Sequence, residues 1–168
     1  LMVIFITGIS ILYALDKTSA DKGRKYYEEA GHIIWDINTT EKVVALTFDD
    51  GPHPRYTERI LEILERYDIK ATFFVIGVNI QNYPEPFAKI VAAGHEIGNH
   101  GYFHKDHDKL SLEQNRKEIA DCNRFIELAL GASPTLFAPP SGAYNNDTLA
   151  ACKALNMKTI LWSRDTID

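Results

Sequence analysis

Residues 47–53 read Thr47-Phe48-Asp49-Asp50-Gly51-Pro52-His53, and the fold turns on how this stretch is understood. The apolar run Val43-Val44-Ala45-Leu46 leads into it, so the pattern predicts a buried strand from Val43 to Phe48 that delivers two adjacent carboxylates at its end. Side by side, two like charges repel, and a nearby cation offsets that repulsion and keeps both ionised. Neighbouring strand residues point to opposite faces, so a bend must aim both carboxylates at one place. Gly51-Pro52 is suited to that turn.

Outward from this strand the pattern alternates. Tyr56–Tyr67 carries Ile60, Leu61, Ile63 and Leu64 at helical spacing, and Ala71–Ile76 is a second strand rich in β-formers. Pro84–Ala93 reads as a helix stopped by Gly94, and Glu96–Asn99 as a third strand. Ser111 caps a long helix that ends at Gly131. Thr135–Ala138, Asn145–Leu155 and Lys158–Ser163 complete the series as strand, helix and strand. A repeated β-α order implies parallel strands with helices outside, either an open sheet or a barrel. In both, ligands gather at the C-terminal ends of the strands. Asp49-Asp50, Asn99-His100, Pro139-Pro140-Ser141 and Asp165 all fall just after predicted strands.

The second chemical cluster is GHEIGNHGYFHKDH, residues 94–107. His100 and His104 lie four apart, and on a helical turn their Cβ atoms would be ~5–6 Å apart on one face. Such a pair binds one metal, and a carboxylate from another strand end would leave a position open for water, the pattern of catalytic zinc sites. With six histidines in 168 residues, the pair gains its weight from the Asp-Asp-Gly upstream. His107, three residues on, is an alternative ligand, and Asn99 is placed to bond the ligand loop.

Bulk properties narrow the classes. The chain has the length of one domain, 45% hydrophobic residues and a formal charge of −5, which gives no support for nucleic-acid binding, since that needs a basic face. The two cysteines, Cys122 and Cys152, form no Cys-x-x-Cys and read as buried thiols or, in an oxidising compartment, a disulfide. Residues 1–15 carry no charge and read as the remnant of a membrane anchor or signal peptide. Residues 16–40 read as a linker with an extended lead-in at Ile33-Ile34-Trp35, and 41–168 as the domain, placing it outside the cytoplasm at the cell envelope, as a monomer.

Four motifs in order, TFDDGP, GNHGYFH, FAPPSGAYN and WSRDTID, resemble those of the polysaccharide deacetylases, carbohydrate esterase family 4, from about Val43 to the last residue. The resemblance implies a distorted (β/α) barrel, truncated here at its C-terminal side. It implies a zinc-dependent N-deacetylase, with cobalt or another divalent metal possible, acting on a peptidoglycan or chitin-like N-acetylhexosamine polymer. Carried over, Asp49 is the general base, and Asp50, His100 and His104 hold the metal whose water attacks the acetyl carbonyl. The main-chain N–H at Ser141 faces the developing oxyanion, where the family has Tyr. His53, Pro139, Pro140 and Tyr144 are expected to line the groove, and Trp162 is expected either to face sugar rings or, the favoured reading, to pack in the core.

The third motif starts with Ala138, where the resemblance implies an Arg that pairs with the base. Two readings follow: a catalytically weak or inactive relative that still binds metal and glycan, or replacement of that guanidinium by Arg164, beside Asp165 of the fourth motif. The family's general-acid His would lie beyond residue 168, so weak activity is expected of these residues alone. A metal-dependent phosphoesterase would need a second ligand set, and none is visible in the sequence.

Overall fold

A computed structural model describes residues 23–166. The elements run α1 (Arg24–Glu29), β1 (Ile33–Ile34), β2 (Thr47–Gly51), α2 (Tyr56–Arg66), β3 (Thr72–Val75), α3 (Gly77–Asn82), α4 (Pro84–Ala92), β4 (Glu96–Asn99), α5 (Leu112–Leu130), β5 (Leu136–Phe137), α6 (Asn146–Ala154) and β6 (Lys158–Ile160). Short 3₁₀ turns occupy His107–Lys109 and Pro140–Gly142. All six strands form one parallel sheet in the order β1-β6-β5-β4-β3-β2. This is the expected parallel α/β architecture, and in the described residues β1 and β2 are the two edges.

The long helix forms where its caps dictate. Ser111 and Gln114 make a reciprocal capping box, and Gly131 closes the other end in the left-handed region at φ 68°. Asn145 and Thr148 cap α6 in the same way. One apolar cluster joins Phe73, Val75 and Ile97 of the sheet to Leu64, Phe87, Ile90, Cys122 and Ile126 of the helices. A second joins Ile119, Phe137, Ala151, Cys152 and Met157. The two cysteines are thus free thiols, each inside a different cluster. Burial pushes the Cys122 thiol up to about 12 and the Cys152 thiol to about 11, so neither is a ready nucleophile.

Several expected boundaries move. The first long strand begins at Thr47, not Val43, and runs through Gly51, so the carboxylates lie within it. Val43 and Val44 are exposed, because the ladder to β3 begins only at Leu46, whose carbonyl accepts from Thr72 N at 3.0 Å. The last strand stops at Ile160, since its partner β1 has only two residues and the final bond runs from Leu161 N to Ile34 O. Before residue 41 the chain already contributes β1 and α1, which bury Ile33 and Tyr27. Helix α3, which had no counterpart in the periodicity, has two turns and a mixed sequence. The anchor or leader reading of 1–15 lies outside the described residues, as do residues 16–22 and Asp168. Among the described residues no helix is long and apolar enough to cross a membrane.

Candidate metal centre

Asp50 reaches the site through a fault in its own strand. Opposite Phe73 and Val75 stand Phe48 and Gly51, so three steps on β2 face two on β3, and the surplus residue makes a bulge. Asp50 sits in it with φ 68°, a left-handed conformation that is uncommon for a non-glycine residue. The backbone thus departs from the pleat at Asp50 itself, upstream of the Gly51-Pro52 turn to which the bend was assigned from sequence. The Gly51–Pro52 peptide is cis. Asn79 Nδ2 donates to the Asp50 carbonyl at 2.9 Å and fixes the bulge against α3.

The imidazoles come from the exit of β4. His100 continues the ladder, its N–H donating to Val75 O at 2.9 Å. The next residues do not make the helical turn that the four-residue spacing invites. Gly101 at φ 78° and His104 at φ 56° fold a left-handed loop instead, and it brings the two ring centroids to 5.2 Å. Gly101 is required there twice over: by its φ, and because a Cβ would lie 3.1 Å from His107 Nε2. Fully buried Asn99 braces the loop by accepting from Gly101 N at 2.6 Å and donating to Ile119 O and Asn123 Oδ1 on α5. The loop's carbonyls at Gly101 and Tyr102 accept from the first N–H groups of α3.

The three expected ligands converge. Asp50 Oδ1 lies 3.3 Å from His100 Nε2 and 3.0 Å from His104 Nε2, with all three donor atoms within 4.8 Å of one another. For a tetrahedral zinc ion with ligands at about 2.0–2.1 Å, ligand atoms stand about 3.3–3.4 Å apart, so the set fits. Protonation chemistry points the same way. His100 Nδ1 is 2.7 Å from Ala138 O, a pure acceptor, so Nδ1 carries the hydrogen. In the neutral ring Nε2 is then a lone pair facing a carboxylate oxygen, and only a cation or a second ring proton reconciles two acceptors at that distance.

Beside the triad, desolvation by the surrounding protein raises the Asp49 carboxyl above its ordinary value; His100 then pulls it down, Asp50 pushes it up and His104 pulls it down. Asp50 moves the other way: its hydrogen bond to His100 leads in holding it low, against its own desolvation. The two adjacent carboxyls are thus shifted in opposite directions by their surroundings.

The remaining expected residues divide. Ala138 is buried against His100 through its carbonyl, and Pro139 and Pro140 are buried behind it. Ser141 is exposed at φ 57°, and among the described residues its N–H has no hydrogen-bond partner. His53 is exposed, but its Nδ1 accepts from the N–H groups of Arg55 and Tyr56 and so caps the start of α2. Tyr144 is half-buried and packs edge-on to Tyr27 at 5.7 Å. Trp162, expected in the core, is instead 45% exposed with its ring over Gly142. Arg164 and Asp165 are exposed, and Arg164 forms no ion pair among the described residues, so it is not brought onto Asp49. His107 is not a ligand: it is fully buried against Phe137, with Nδ1 donating to Asn115 Oδ1 at 2.6 Å.

Sequence reasoning missed the supports on α5. Asn115, Glu118 and Asn123 are buried at helical spacing among Ile119, Cys122 and Ile126. Polar side chains on the apolar stripe of a helix were the available signal.

A family model, described as Polysaccharide deacetylase, matches residues 36–160. A peptidoglycan-N-acetylglucosamine deacetylase of Bacillus cereus is 39% identical over 140 residues, covering 83% of this chain and 65% of the relative. The peptidoglycan-N-acetylmuramic acid deacetylase PdaC of Bacillus subtilis is 40% identical over 132 residues, 79% of this chain and 28% of the relative. Among solved structures, a CE4 family pseudoenzyme from Bacillus anthracis superposes with a TM-score of 0.77 at 37% identity, covering 81% of this chain and 48% of that one. A mutant of that pseudoenzyme is described as having restored enzymatic activity. The chain thus spans about two thirds or less of the length of these relatives.

Proposed function

The chain belongs to the polysaccharide deacetylase family, and on that premise we propose that it hydrolyses N-acetyl groups of a cell-wall N-acetylhexosamine polymer, peptidoglycan or a chitin-like glycan. Asp50, His100 and His104 would hold a divalent cation, zinc in the first place and cobalt as an alternative. Once bound, the cation supplies a Lewis acid and a water acidified towards neutrality.

The rest of the chemistry falls to the chain. Asp49, with a carboxyl held above its ordinary value and adjacent to a ligand, takes the proton of the attacking water. Ser141 offers an unpaired main-chain N–H to the oxyanion. Its left-handed backbone, braced by two prolines, fixes where that N–H points. Removal of acetyl groups leaves a cationic glycan, which fits placement at the extracytoplasmic face of the envelope, with residues 1–15 as the membrane attachment or export signal.

The observation that carries the reading is the buried His100 ring, whose Nδ1–H is committed to Ala138 O while Nε2 faces Asp50. The test is acetate release from N-acetylglucosamine oligomers and from peptidoglycan, with zinc or cobalt added. Release that disappears on chelation supports the reading. No release while the metal stays bound supports a second one, a glycan-binding relative without turnover. That alternative draws on Ala138, where the family resemblance implies an Arg, and on the absence of an Arg164 ion pair among the described residues.

A further inference from the structure

Glu118 on α5 is a buried carboxylate with its side chain 7% exposed. Its Oε2 accepts from Phe103 N at 2.9 Å and its Oε1 pairs with Lys105 Nζ at 2.7 Å. Those two residues flank His104. The neighbouring braces of α5 go elsewhere: Asn123 and the Ile119 carbonyl hold Asn99, and Asn115 holds His107. His104 also differs from His100 in its support. His100 is 3% exposed, is tied to a strand by its N–H and has its ring bonded to Ala138, whereas His104 is 38% exposed and strained at φ 56°.

A non-glycine residue in that region is strained and persists only where its surroundings over-determine it. A carboxylate, too, is expensive to bury unless paired and hydrogen-bonded. One clamp answers both costs. The strained residue is held from each side by a single group, and that group is neutralised by the residues it holds.

We propose that Glu118 is a positioning residue for the metal site, fixing His104 Nε2 in the triad from behind the loop. This rests on the metal-binding reading above. The expected effect of Glu118→Ala is a 10- to 100-fold weaker zinc affinity by calorimetry, the range seen when outer-shell partners of metal ligands are removed. Glu118→Gln keeps an acceptor for the Phe103 N–H and should lose less; its cobalt absorption spectrum should shift as the His104 geometry loosens. Ile126→Val, which trims the core away from the loop, should keep wild-type affinity at whatever thermal stability it loses. If Glu118→Ala does not fold, Glu118→Gln decides. Wild-type zinc affinity and cobalt spectrum in the Glu118 variants, or an affinity loss matched by Ile126→Val, would overturn the proposal and leave the metal reading standing. A wild-type protein that binds neither zinc nor cobalt would overturn both.

Discussion

The loop leaving β4 and the segment leaving β6 emerge from the same end of the same sheet, yet they are built to different standards. The first is bonded at nearly every step: Asn99 to Gly101 and α5, Gly101 and Tyr102 carbonyls to α3, Phe103 to Glu118, His107 to Asn115. The second leaves the ladder at Leu161, and Trp162 to Asp165 are exposed. One loop carries two of the three converging side chains, at 3.3 and 3.0 Å from Asp50 Oδ1; the other carries none of them. Preorganisation is thus concentrated on the ligand half of the site.

The sharpest way to break this contrast is His100→Ala. It removes a ligand and the Ala138 bond together, and zinc binding by calorimetry should be abolished in the micromolar range, whereas Arg164→Ala should leave zinc affinity unchanged. Next in size, Asp49→Asn should keep the metal and reduce acetate release by about 10²–10⁴-fold, the usual worth of a general base. A smaller effect tests the thin side of the site. Ala138→Arg restores the guanidinium that the family resemblance implies as the base's partner, and if loss of that orienting partner limits turnover, acetate release should rise about tenfold, about 1.4 kcal/mol off the barrier. No rise with the metal still bound would place the deficit elsewhere in the groove.

The smallest effect is on stability. Burial, foremost, lowers the His107 pKa, so the folded protein holds the neutral ring. A depressed histidine contributes stability that is fully present above its unfolded value of about 6.5 and is lost as pH falls towards the folded value. The metal-free protein should therefore unfold at lower temperature as pH drops from 7 to 5, and His107→Leu should flatten that slope in differential scanning calorimetry.

What the sequence could convey followed from local chemistry. The β-α alternation and the capping at Ser111 and Gly131 are encoded in short windows, and the structure repeats them. The pairing of His100 and His104 with an Asp-Asp-Gly at a strand end was legible from the residues, while the choice of Asp50 over Asp49 came from the family resemblance. The manner of their convergence was not. Periodicity offers a helix for a four-residue spacing and a Gly-Pro turn for a bend, while the protein uses a bulge at Asp50 and a left-handed loop at His104. Such backbone states are held by distant groups, Asn79 for one and Glu118 for the other. The burial of Tyr27 and Ile33, before residue 41, was hidden for the same reason: β1 has only two residues and exists through β6, more than a hundred positions away.

Three non-glycine residues at this end of the sheet, Asp50, His104 and Ser141, occupy the left-handed region. In a saturation library sorted only for expression yield, glycine, asparagine and aspartate should be enriched at these positions, and valine, isoleucine and threonine depleted. Sorted for turnover, positions 50 and 104 should collapse to one residue each. Position 141 should keep its broad backbone-driven profile, since there only the main chain is asked to act.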